Sequence, residues 1–133
     1  MFYEVGVKIN EDFQLKTRKN INLFIYSSGV ARFGFLAKIE KDTDLTDTIR
    51  SWENTIVDDF NPLLSYLIGK ETEKLNNFRT WHYKGNEFRC IDLNEKNFGI
   101  CLSTIEDWFL FTTSGESMLR LIDILSAETS PEI

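Results

Sequence analysis

Residues 2–9, FYEVGVKI, alternate apolar and polar side chains, the two-residue period of a half-buried strand. Asn10-Glu11-Asp12 reads as a turn into a second strand near 13–18. INLFIYSSGVARFGFLAKIE then reads as a hairpin about Ser27-Ser28-Gly29. Pairing Ile25 with Phe33 and Leu23 with Phe35 collects the apolar residues on one face. That register needs an odd-length loop, which Gly29 at positive φ permits.

The period changes at Asp42. Leu45, Ile49, Trp52, Ile56 and Phe60 recur at helical spacing, and the helical segment runs to Gly69. Thr43 or Asp44 can cap it. Pro62 is expected to end or kink it, leaving a further turn with Leu63, Leu64 and Leu67 before Gly69. Asp47, Ser51, Asn54 and Asp58 form the opposite, solvated stripe, with Arg50 beside them.

After the polar loop GKETEKLNN, four short strands follow in a meander. TWHYKGNEFRC turns on Gly85-Asn86, CIDLNEKNFGIC on Asn94 to Asn97, and STIEDWFLF on Glu106-Asp107. Taken literally, these turns pair Tyr83 with Phe88, His82 with Arg89, Trp81 with Cys90, Cys90 with Cys101, Ile91 with Ile100, and Leu102 with Phe111. Side chains alternate across a strand. One face therefore gathers Ile91, Leu93, Phe98, Ile100, Leu102, Phe109 and Phe111. The other gathers Trp81, Tyr83, Phe88, Cys90, Cys101, Ser103, Trp108 and Leu110. TTSGESMLRLIDIL opens a closing helix, in which Thr113 and Glu116 fit a capping box. The expected fold is α+β: a mostly antiparallel sheet in β3-α-β4-α order with two helices packed on it, forming a single domain over 1–133.

The chain has 133 residues and a net charge of −6. The distribution says more than the total. Residues 1–41 carry seven basic and four acidic side chains, whereas 42–69 carry one and six. Residues 70–98 come to +1 and 99–133 to −5. Base sits in strand segments and acid largely in helical ones. The apolar runs are too short and too charged to span a membrane, and the N-terminus does not look like a signal peptide. Two cysteines are no disulfide framework, so a reduced, cytoplasmic setting is expected.

Candidate chemistry is sparse. His82 is the chain's one histidine, and the registers put it on the face opposite both cysteines, away from a Cys-His pair. One histidine and two cysteines do not supply four zinc ligands. No glycine-rich phosphate loop occurs, and TSGES lacks the G-x-S-x-G frame. Asp58-Asp59 diverge on a helix and Glu106-Asp107 occupy a tight turn, so neither reads as an acid–base pair. Cys90 and Cys101 read as two buried thiols, with a labile cross-strand disulfide as the alternative. No catalytic residue, metal site or cofactor is expected.

The leading expectation is a non-catalytic inhibitor, an immunity-type antitoxin that neutralises a basic toxin or nuclease through an acidic surface. In size and charge alone the chain resembles small acidic immunity proteins. Asp44, Asp47, Glu53, Asp58 and Asp59 are the expected contacts, with Trp81 or Trp108 as an aromatic anchor. One alternative is a single-stranded nucleic-acid binder, in which Trp81, Tyr83, Phe88 and Trp108 stack bases within a rim of Lys16, Arg18, Lys19, Lys84 and Arg89. A further alternative is a small homodimeric domain joined through that aromatic face.

Overall fold

The computed structural model describes residues 10–28 and 30–129. The expected strand at 2–9 and the loop residue Gly29 lie outside them. The described chain is α+β, with four helices and one six-stranded antiparallel sheet. In chain order come α1 (Glu11–Lys16), β1 (Thr17–Ser28), β2 (Val30–Ile39), α2 (Thr46–Trp52), α3 (Ile56–Ile68), β3 (Arg79–Tyr83), β4 (Asn86–Asp92), β5 (Gly99–Ile105), β6 (Trp108–Thr112) and α4 (Gly115–Thr129). Across the sheet the order is β1-β2-β6-β5-β4-β3. Thus β2 and β6, far apart in sequence, are neighbours.

The first correction is at the start. The expected strand near 13–18 begins as helix α1. Asn10 is not a turn residue but its cap, with Oδ1 accepting from the Phe13 N–H at 3.0 Å. Glu11 and Asp12 fill the first turn and Lys16 the last, the charge order that suits a helix dipole. Phe13 then buries its ring 5.1 Å from that of Trp52 and 4.7 Å from that of Phe109.

The β1–β2 hairpin has the expected register, with Leu23 opposite Phe35 and Ile25 opposite Phe33. The long helix, in contrast, is two. It breaks at Glu53–Thr55, where Asn54 and Thr55 make tightened turn bonds to the carbonyls of Ser51 and Trp52. Trp52 Nε1 and Thr55 Oγ1 both donate to Asp59 Oδ2, at 2.9 and 3.0 Å, and pin the corner. Pro62 is accommodated inside α3, whose end comes at Gly69 with φ 72°.

In the meander, two of the three turns fall where expected. The first moves by one residue, which shifts the pairing by two. Lys84 and Gly85 form it, both at positive φ, and Tyr83 pairs with Asn86, His82 with Glu87 and Trp81 with Phe88. A slip of two leaves every side chain on its own face. Cys90 still faces Cys101, and Leu102 still faces Phe111.

One face of the sheet carries Phe35, Ala37, Ile91, Ile100, Leu102, Phe109 and Phe111 into a core shared with Phe13, Leu45, Ile49, Trp52, Ile56, Phe60 and Leu64. Phe60 stacks on Phe111 at 4.6 Å, and Phe111 on Phe35 at 4.9 Å. The other face joins Phe88, Cys90, Cys101 and Leu110 to Met118, Leu121, Ile122 and Leu125 of α4. Helix α4 is capped differently from expectation. Ser114 Oγ accepts the Ser117 N–H at 3.1 Å. Thr113 instead extends the sheet, its hydroxyl donating to the Phe33 carbonyl at 2.8 Å, and Glu116 accepts from Asn97 Nδ2 at 2.6 Å.

Candidate functional site

Three chain segments meet at one end of the sheet. The Ile39 N–H donates to the Asp107 carbonyl at 2.8 Å, and the Glu40 N–H to the Lys16 carbonyl at 2.9 Å. The end of β2, the β5–β6 turn and the junction of α1 with β1 are thereby locked together. The loop from β2 into α2 starts at the same place. Between that loop and the β5–β6 turn lies an open cleft of about 520 Å³, lined by Ile39, Glu40, Lys41, Asp42, Thr43, Asp44, Glu106 and Asp107. Five of these eight carry carboxylates.

Each acid has a local reason for its position. Asp44 Oδ1 accepts the Thr46 N–H at 2.9 Å and the Thr46 hydroxyl at 2.6 Å, which sets the entry of α2. The Thr46 hydroxyl, then its N–H, hold the Asp44 carboxyl below the ordinary carboxylate range. Asp107 pairs with Lys38 at 2.5 Å, and the Lys38 ammonium lies 4.6 Å from the centre of the Trp108 ring. Asp42 and Glu106 sit at φ 59° and 55°, a region that favours glycine and asparagine. On the flank, Asp12 pairs with Lys16 at 3.1 Å and accepts from the Thr48 hydroxyl of α2. Asp47 is exposed on the first turn of α2.

The five acids expected as partner contacts are therefore divided. Asp44 and Asp47 belong to the acidic end. Glu53 stands at the far end of α2, its side chain 9% exposed, and both its oxygens are gripped by Arg89: Nε at 2.5 Å and Nη2 at 2.8 Å. Asp59 holds the α2–α3 corner through Trp52 and Thr55. Asp58 is exposed on α3, away from the cleft. The helix break puts Asp47 and Asp58, which helical spacing had aligned, on different helices, and the internal pairings take up Glu53 and Asp59.

Sequence reasoning passed over Glu40 and Asp42, and read Glu106 and Asp107 as a turn only. The missing signal is the β2–β6 pairing, in which Lys38 lies opposite Trp108 and brings the 106–107 turn beside residue 39. Nothing local in the chain announces that neighbour.

The aromatic face lies against α4. Phe88 is buried, while Tyr83 and Trp108 are partly so. The Tyr83 hydroxyl is engaged, donating to Asp123 Oδ1 at 3.0 Å. Trp81, on the edge strand β3, keeps 47% of its surface exposed, with the Arg79 guanidinium 5.4 Å from its ring centre. Trp81 and Trp108 are not brought together: Trp81 pairs across β3–β4, whereas Trp108 follows Asp107 on β6, beside the Lys38 ammonium that pairs with Asp107 at the acidic end.

His82 is exposed and lies 3.9 Å from Glu87, not beside Arg89. A second cleft, about 780 Å³, is lined by Arg32, Leu67, Ile68, Glu95, Lys96, Asn97 and Glu116. There Arg32 donates to the carbonyls of Asn97 at 2.8 Å and Lys96 at 2.9 Å, and its guanidinium lies over the Phe98 ring. Among the described residues no group of three or more His, Cys, Asp or Glu side chains is arranged to hold a metal ion. No helix among them is long and apolar enough to cross a membrane. Comparison with known proteins finds no matching family model, no similar curated protein and no similar solved structure.

Proposed function

We propose that the chain is a non-catalytic, protein-binding inhibitor of the immunity type, which neutralises a basic toxin or nuclease through an acidic surface. The observation that carries this reading is the gathering of Glu40, Asp42, Asp44, Glu106 and Asp107 around one open cleft, with Asp47 on the adjoining helix. Complementary charge of this kind accelerates encounter with a basic partner and rejects acidic ones. Nucleases present basic surfaces to their substrates, and a cluster of carboxylates offers such a surface the negative charge that phosphates would supply. Asp42 and Glu106 add support. Both hold a carboxylate at a backbone position that glycine or asparagine would occupy at lower cost. Glu53 and Asp59 are reassigned to holding the fold, and Asp58 lies outside the surface.

The test is capture of a partner from native cell extract by the wild-type chain, by Glu40→Lys/Asp47→Lys and by Asp58→Lys, read by mass spectrometry. Glu40 and Asp47 are both exposed, so the double variant is expected to fold. A basic protein held by wild type and Asp58→Lys, and lost by the double variant, is the expected result. Equal capture by all three would overturn the assignment of the surface.

A further inference from the structure

Cys90 and Cys101 lie directly opposite one another on β4 and β5, with Cα atoms 4.2 Å apart, and they are joined as a disulfide. This replaces the expected pair of buried thiols. Residues 88–92 and 99–103 are paired along the ladder on both sides of the bond. Its environment is the side-chain layer between sheet and α4, where Cys101, Leu110, Met118 and Ile122 are each at most 1% exposed.

We propose that the Cys90–Cys101 pair is a thiol–disulfide switch that sets how tightly α4 is docked on the sheet. Bonded sulfurs stand about 2 Å apart. Two thiols settle near ordinary van der Waals contact, roughly 3.5–4 Å. The difference has to be found inside a layer packed without spare room, and such overfilling displaces the lid more readily than the hydrogen-bonded sheet. The lid is α4. Its first turn is anchored by the buried Ser114 and Ser117 hydroxyls, 2.7 Å apart. Further along, Asp123 ties it to the β3–β4 turn, through the Tyr83 hydroxyl at 3.0 Å and the Lys84 ammonium at 2.5 Å. The Asp123 tethers are exposed enough for water to replace them, so lifting of the helix is resisted there less than at its buried first turn.

The chemistry is dithiol exchange, and the reductant is a dithiol of small-molecule or protein origin. Its thiolate attacks the sulfur of Cys90, the more exposed of the two residues at 9% against 1% for Cys101, in line with the S–S bond. The S–S bond breaks, and Cys101 leaves as a thiolate that takes a proton from water. The second thiol of the reductant then attacks the mixed disulfide and releases Cys90. Two electrons pass to the protein pair, and the reductant is left as a disulfide. This inference is independent of the acidic cleft.

The experiment compares hydrogen exchange of the whole chain, by peptide mass spectrometry, after oxidised glutathione and after dithiothreitol. Reduction is expected to speed exchange of α4 amides tenfold or more while those of α2 and α3 change less than twofold. The variant Cys90→Ala/Cys101→Ala, which has neither the bond nor the extra volume, should not respond to dithiothreitol. The wild-type comparison decides the matter without the variant. Equal α4 exchange in the two states would overturn the proposal. So would equal acceleration along the whole chain, which marks a plain staple, or failure of oxidised glutathione to form the bond.

Discussion

The Arg89 guanidinium on β4 grips both carboxylate oxygens of Glu53, 36 residues earlier, at the point where α2 breaks from α3. The pair fastens the helical layer to the sheet near its β3 edge. Arg89 also donates to Thr80 Oγ1 at 2.7 Å, so three elements meet at one side chain. The Glu53 hydrogen bonds, followed by its charge, raise the Arg89 pKa above its ordinary value. Glu53→Ala leaves that cation half-shielded without its partner and is expected to cost ~2 kcal/mol, read as a lower denaturant midpoint at unchanged slope. The same variant should still capture the partner. Loss of capture with full stability would restore Glu53 to the binding surface.

Asp59 is expected to behave likewise, for a different reason. Trp52 is fully buried and its indole N–H has Asp59 as acceptor. Asp59→Ala strands that donor and removes the pin of the helix corner, at a cost of about 1–3 kcal/mol. Asp58→Ala, one residue away and exposed, should fall within ~0.5 kcal/mol of wild type. Thermal unfolding of the two variants side by side separates a structural carboxylate from a solvated one.

Glu106→Gly should move stability and binding in opposite directions. At φ 55° a side chain is disfavoured, and glycine relieves about 1 kcal/mol. The same change removes a carboxylate from the cleft and should weaken partner capture, more so at low salt than at high. A variant that is more stable and binds equally well would show that Glu106 contributes nothing to the surface.

Gly99 is required by space. A Cβ placed there would stand 2.2 Å from the Ile91 carbonyl oxygen, and that oxygen belongs to backbone that cannot swing aside. Gly99→Ala is expected to destabilise by at least ~2 kcal/mol through displacement of the β4–β5 turn. Wild-type stability in this variant would mean that the turn relaxes freely.

Acid should loosen α4 at Asp123. The Lys84 ammonium, with the Tyr83 hydroxyl behind it, holds the Asp123 carboxyl below its ordinary value of 3.8. The folded value lies under the unfolded one. The contribution is therefore complete above about pH 4 and is lost as pH falls through the lower, folded value. Wild type should lose stability more steeply than Asp123→Asn between pH 5 and pH 2 in denaturant titrations. Parallel losses would remove Asp123 as a tether.

Which face each side chain occupies follows from alternation alone. The Lys84-Gly85 turn lies two residues' pairing away from the expected Gly85-Asn86 register, yet Trp81, Phe88 and Cys90 keep their face, because the period of a strand is two. The apolar sets at Leu45–Phe60 and Ile91–Phe111 were legible for the same reason: burial repeats with the local geometry. Helix α1 was read as a turn and a strand. Asn10 signals a cap as strongly as a turn, and Phe13, finding Trp52 and Phe109 beneath it, favours the helix. The break at Glu53–Thr55 has no proline or glycine to announce it. It depends on Asp59 accepting from Trp52 and on Arg89 arriving from a strand 36 residues on.

The sequence by itself thus determined the α+β class, the antiparallel meander, the two faces of the sheet and the excess of acid, all properties of short-range period and composition. Tertiary structure decided which acids remain at the surface and which are taken up inside. It also decided that β2 and β6 adjoin and so gather Glu40, Asp42, Asp44, Glu106 and Asp107 at one cleft. The physical reason is that a carboxylate's role depends on the cation or donor that reaches it, and those partners come from elements that are distant in the chain.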